Sequence, residues 1–110
     1  MATLDEIHKA LADMRTAIDC GKFQPVDRKK NLKTLGDLGI TWQDAKNEIY
    51  TIDEKNYYQG PMEDRDYPGS DLFWVFKKNI DGHSIYIKFK IVYQENKQLR
   101  VVSFHIDEYT

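Results

Sequence analysis

The sequence predicts an α+β fold: three N-terminal helices packed on one face of a C-terminal antiparallel three-stranded meander. Two observations carry this. Through residue 50, apolar residues recur at spacings of three and four, the period of a helix buried on one side. From residue 71 the period changes to two, with turn residues between the runs, as in hairpins. A length of 110 residues fits one domain, 1–110.

The first helix is expected over about 4–20. Thr3 and Glu6 have the spacing of a capping box. Leu4, Ile7, Leu11, Met14 and Ile18 form its apolar stripe, and Cys20-Gly21 its stop. A short connector with Pro25 follows. Asp27 is the expected cap of a second helix over 28–38, with Leu32, Leu35 and Leu38 inward. Thr41 and Asp44 open a third helix, 42–50, with Trp42, Ala45 and Ile49 inward.

Residues 51–70, "TIDEKNYYQGPMEDRDYPGS", read as a loop punctuated by Gly60-Pro61 and Pro68-Gly69. A connection of this length is unusual inside a compact domain and is often functional. Strands are expected over about 71–79, 84–94 and 99–107. Asp81-Gly82 marks a type I′ turn, and a second turn centres on Asn96-Lys97.

Opposite partners in a sheet share a face, so apolar matching sets the register. The first turn pairs Trp74 with Phe89, Phe76 with Ile87 and Leu72 with Ile91. The second is expected to pair Phe89 with Phe104, Ile91 with Val102 and Ile87 with Ile106. The back face then carries Phe73, Val75 and Lys77; Tyr86, Lys88 and Lys90; and Val101, Ser103, His105 and Asp107. Lys88 is expected opposite His105. Two potential cations side by side repel, so a neutral imidazole able to accept a proton is expected.

Composition bounds the function. Net charge is −2, unlike the basic balance of a general nucleic-acid binder. Charge is uneven, however: residues 44–71 hold eight acids against three bases, while 72–106 hold six Lys and Arg against two acids. A basic half can steer an anionic ligand. One cysteine excludes an internal disulfide and a Cys-based zinc site. No apolar run approaches a membrane span, and the charged N-terminus lacks a signal core, so a cytoplasmic protein is expected. "EDRD" (63–66) matches no metal loop and reads as solvated.

A histidine beside lysines and a tyrosine suits RNA cleavage without a metal or other cofactor. The 2′-hydroxyl attacks phosphorus, a base takes its proton, an acid protonates the leaving 5′ oxygen, and a cation holds the charge. His105, Lys88 and Tyr86 are the candidate catalytic residues. Lys77, Lys90, Ser103, Gln59 and Tyr58 are the candidate substrate contacts. The alternatives are a non-catalytic interaction module, or a mobile-element protein using the sheet face, with Phe73 and Val75 exposed, as an interface.

"LGDLGITWQDAKNEIYTIDEKNYYQGPM", "GHSIYIKFKI" and "RVVSFHID" together resemble the MqsR family of toxins, a branch of the RelE-like mRNA interferases. The resemblance implies a sequence-selective endoribonuclease acting on mRNA without a metal and neutralised by a cognate antitoxin. No membrane partner is expected, and no DNA except through the antitoxin complex. The family's strand tyrosine matches Tyr86. Its C-terminal lysine falls at His105, its loop lysine at Gln59, and its first-strand glutamine near Val75. The acidic net charge is a further departure.

Overall fold

Thr3 and Thr41 start two helices by the same device. Each hydroxyl accepts a hydrogen bond from the backbone N–H three residues on, and the acid there, Glu6 or Asp44, accepts from the threonine's own N–H. In the computed structural model, which describes residues 1–107, these helices are α1 (Leu4–Asp19) and α3 (Trp42–Tyr50), with α2 (Lys29–Leu38) between them. Their buried residues, Ile7, Leu11, Met14, Ala45 and Ile49, meet Phe76, Ile87, Phe89 and Phe104 of the sheet in one core. Phe76 stacks on Phe89 with ring centres 5.6 Å apart. Each such large side chain contributes about 1.5–3 kcal/mol by leaving water.

The sheet is five-stranded and mixed, not a three-stranded antiparallel meander. Its strands are β1 (Phe23–Pro25), β2 (Tyr57–Met62), β3 (Phe73–Ile80), β4 (His83–Val92) and β5 (Gln98–Ile106), in the spatial order β1-β5-β4-β3-β2. β1 runs parallel to β5, pairing Phe23 with Leu99 and Pro25 with Val101. Three residues are too few to show a period, and the partner lies far along the chain. β2 lies inside the expected loop and pairs antiparallel with β3, with two register shifts. Those shifts, and Gly60-Pro61, hide its alternation. Gly60 is needed there: its φ is +119°, and a Cβ would sit 2.8 Å from the Phe73 carbonyl oxygen.

α2 begins differently from expectation. Arg28, not Asp27, is its N-cap, and no side chain caps it. Asp27 instead accepts from the Trp42 indole N–H at 2.8 Å. Leu32, expected inward, is exposed. Leu35 is buried in the core as expected, but beside it α2 presents two polar side chains to the edge of the sheet. Asn31 is fully buried, accepts from the Phe104 N–H, and donates to the carbonyls of Val26 and Val102. Thr34 accepts from the Ile106 N–H at 2.9 Å. Where β1 stops, these two side chains take over the hydrogen bonds of β5's edge, covering a row that would otherwise template aggregation.

The first hairpin has the expected register, with Trp74 opposite Phe89 and Phe76 opposite Ile87. Asp81 and Gly82 both have positive φ, as a type I′ turn requires. Leu72, expected opposite Ile91, lies before β3 and is exposed. The second hairpin differs. Tyr93–Glu95 form a 3₁₀ turn, and Asn96 and Lys97 are both left-handed, so the connection spans five residues rather than two. Ile87 therefore meets Phe104, and Ile85 meets Ile106. This shift of two preserves the faces of residues 103–106. A bulge at Val102 then exchanges the next pair: Val101 faces Phe89 in the core, and Arg100 sits opposite Lys90. Among the described residues no helix is long and apolar enough to cross a membrane.

Candidate functional site

The back face of the sheet is where charge collects. β4 alternates Ile85, Ile87, Phe89 into the core with Tyr86, Lys88, Lys90 on the back, as strand geometry dictates. Lys88 faces Ser103, and His105 faces Tyr86. The expected pairing of Lys88 with His105 is not formed. Instead the imidazole stacks on the Tyr86 ring, 5.3 Å between centres and 17° from parallel.

His105 is 5% exposed. Its Nδ1 lies 3.1 Å from the Ile106 carbonyl oxygen, which can only accept. Nδ1 therefore carries a hydrogen, and in the neutral ring Nε2 holds the lone pair. The Tyr86 phenol is pushed up by burial and by Tyr58 and Asp107, with Lys77 opposing. It stays an O–H donor at neutral pH. Lys77 pairs with Asp107 at 2.8 Å and lies 3.8 Å from the Tyr58 ring centre. The Asp107 hydrogen bond raises the Lys77 ammonium.

Beside this cluster is a cavity of about 620 Å³. Tyr86, Lys88, Lys90 and Gln59 line it, so four expected site residues share one pocket. Ser103, buried opposite Lys88, and His105, behind Tyr86, do not line it. Lys77 and Tyr58 flank Tyr86 outside it.

The segment after β2 folds over this face. Asp64 reaches Lys90 at 3.1 Å, and both side chains are largely buried. Burial pushes the Asp64 carboxyl up, but hydrogen bonds from Lys90 and the Asp66 N–H, with the Lys90 charge, outweigh it and hold it below the ordinary carboxylate range. Lys90 is thus already neutralised. Phe73 and Val75, which were expected exposed, are buried, and the ammoniums of Lys88 and Lys90 lie over the Phe73 ring at 4.6 and 5.0 Å. No apolar patch of these two residues remains for an interface.

Lys88 has no carboxylate partner among the described residues. Burial pushes its ammonium down; the Arg28 charge adds to this, Asp64 opposes it, and Arg65 adds again. Arg28, Arg65, Asp64 and Arg100 line the cavity and escape a reading by alternation. The bulge at Val102 moved Arg100 onto this face. Arg28 had a signal: "RKK" (28–30) puts three cations at a helix N-terminus, the end that favours anions. The "EDRD" acids join no group of His, Cys, Asp and Glu suited to a metal among the described residues.

The family described as "Motility quorum-sensing regulator, toxin of MqsA" matches residues 6–106 of the chain. No curated protein matches it.

Proposed function

The chain belongs to the MqsR toxin family, and we propose that it is the toxin of a toxin–antitoxin pair, bound by an antitoxin of the MqsA kind and acting as an endoribonuclease on mRNA. The observation that carries this reading is the placing of Tyr86 and Lys88 on the wall of a cationic cavity, with His105 stacked behind Tyr86.

The proposed reaction uses side chains for each proton. The ribose 2′-oxygen bonds to phosphorus as the bond from phosphorus to the 5′-oxygen breaks. His105, behind Tyr86 and off the cavity wall, takes the 2′-hydroxyl proton on Nε2 through one bridging water. Lys88 holds the phosphate and gives a proton to the leaving 5′-oxygen; its lowered pKa makes it a better donor than an ordinary lysine. Tyr86 donates its O–H to a phosphate oxygen. The products are a 2′,3′-cyclic phosphate end and a 5′-hydroxyl end, and water restores the two protonation states. Tyr58 and Gln59 contact the RNA on the β2 side, and Lys77 holds Tyr58 in place. Lys90, engaged by Asp64, and Ser103 support the floor.

The experiment incubates the purified chain with RNA and with DNA of the same sequence. RNA is expected to be cut to those two ends and DNA to survive, and induced expression is expected to arrest growth. Intact RNA together with undisturbed growth overturns the reading. A second reading is a non-catalytic binding module. It is favoured by Gln59, which lines the cavity with an amide where the family carries a lysine. RNA that binds with strong salt dependence and is never cut selects it.

A further inference from the structure

We infer that Arg28 and Arg65, beside Lys88, form a subsite for the phosphate of single-stranded RNA next to the one that Lys88 holds. The inference rests on the ribonuclease reading for its ligand, and on the cavity and its unpaired cations for its place. Five cations line the cavity, and two are spent: Lys90 on Asp64 and Arg100 on Glu95, each at 3.1 Å. Arg28, Arg65 and Lys88 make no ion pair among the described residues.

Two exposed arginines are ordinarily no more than solvated surface. Here three like charges from three separate elements converge. Arg28 comes from the start of α2, Lys88 from β4, and Arg65 from the segment after β2. Glu63 and Asp66 line the same cavity yet pair with none of them. The like charges act on one another, since Arg28 and Arg65 both disfavour the Lys88 ammonium. A protein of net charge −2 has carboxylates to spare for such a cluster. Leaving it unneutralised keeps donors available, and guanidinium groups present a fork that matches phosphate oxygens. The cavity volume, about 620 Å³, lies in the ~300–1,000 Å³ range of ligand sites.

The test measures binding of a 2′-O-methyl hexanucleotide, which cannot be cut, across a salt series. Each phosphate contact on a single strand contributes about −0.7 to the slope of log affinity against log salt. Arg28→Gln and Arg65→Gln are each expected to reduce that slope by about 0.7 and to weaken binding about three- to tenfold. Arg28→Lys and Arg65→Lys are expected to keep the slope. Both arginines are exposed, so the variants are expected to fold. An unchanged slope in the double Gln variant overturns the subsite. So does a hexaglutamate peptide that displaces the oligonucleotide at equal concentration, which assigns the cluster to an acidic protein segment. Cleavage of unmodified RNA is read separately. Cutting with a slope indifferent to both arginines removes the subsite alone. An arginine-dependent slope without cutting keeps the subsite and removes the ribonuclease reading alone.

Discussion

The phenol ring of Tyr86 lies flat on the imidazole of His105, across the β4–β5 pairing. Each ring fixes the plane of the other, and the His105 Nδ1 bond to the Ile106 carbonyl fixes which nitrogen is free. The stack ties a half-buried hydroxyl to a buried imidazole.

That tie separates two substitutions. Tyr86→Phe keeps the stack and removes only the O–H. It is expected to slow RNA cleavage about 10–10²-fold with an unchanged Tm. Tyr86→Ala also frees the imidazole and is expected to cost more than 10²-fold. Single-turnover cleavage measures both, and a Phe variant cutting at full rate rules out the hydroxyl.

Asn31 and Thr34 complete the edge of β5. Asn31→Leu leaves the Phe104 N–H and the Val102 carbonyl without their side-chain partner. The expected loss is about 2–4 kcal/mol. Thr34→Val strands one N–H and is expected to cost about 1–2 kcal/mol. Denaturant unfolding checks both; an Asn31→Leu midpoint equal to the wild type refutes the edge-cover account.

Gly60→Ala places a Cβ against the Phe73 carbonyl at a positive φ. The expected cost is about 2–4 kcal/mol, because backbone must move. Gly36→Ala is the control: nothing lies within 4 Å of its Cβ, and it sits inside α2. That change is expected to stabilise by about 0.4–1 kcal/mol. Thermal unfolding ranks the pair, and the reverse order contradicts the geometry.

Asp64 makes stability depend on pH in acid. Burial alone raises its carboxyl, but Lys90 and the Asp66 N–H lower it on balance. A folded value below the unfolded one, ~3.9, gives stability that is whole above pH 4. It is lost as pH falls through the lower folded value. Asp64→Asn is expected to flatten this acid limb. It leaves Lys90 buried without its counter-charge and adds net positive potential to the cavity. The variant is therefore expected to be less stable at pH 7 yet to bind the 2′-O-methyl hexanucleotide more tightly. Equal acid limbs in the two proteins contradict the assignment.

Lys88 is held against its own preference, since burial and the Arg28 and Arg65 charges disfavour its ammonium. Lys88→Met is expected to leave Tm unchanged or raise it, while RNA cleavage falls at least 10²-fold. A Tm lower by more than ~5 °C means that the ammonium supports the fold.

Helices α1 and α3 and the register of the first hairpin were legible because their signals are local. Thr3, Thr41 and Asp81-Gly82 each act within a few residues. β1 and β2 were not legible, because what makes them strands lies elsewhere: Leu99 to Val101 for one, Phe73 to Phe76 for the other. The back face of the sheet was legible where alternation held, placing Tyr86, Lys88 and Lys90 together. It failed at the second turn, where two left-handed residues after a 3₁₀ turn moved His105 from Lys88 to Tyr86. Arg28 and Arg65 reach the same cavity from a helix start and an irregular segment, and neither announces its direction in periodicity.

β5 is synthesised after the other four strands yet lies between β1 and β4. Phe23 cannot find Leu99 until every residue between them has been made, and closing so long a loop carries an entropy cost that only the finished sheet offsets. On a ribosome adding ~5–20 residues per second, Tyr86 emerges before it has an imidazole to lie against, and Arg100 is still missing from the chamber wall. In the ribonuclease reading, a nascent copy is harmless to the transcript that encodes it.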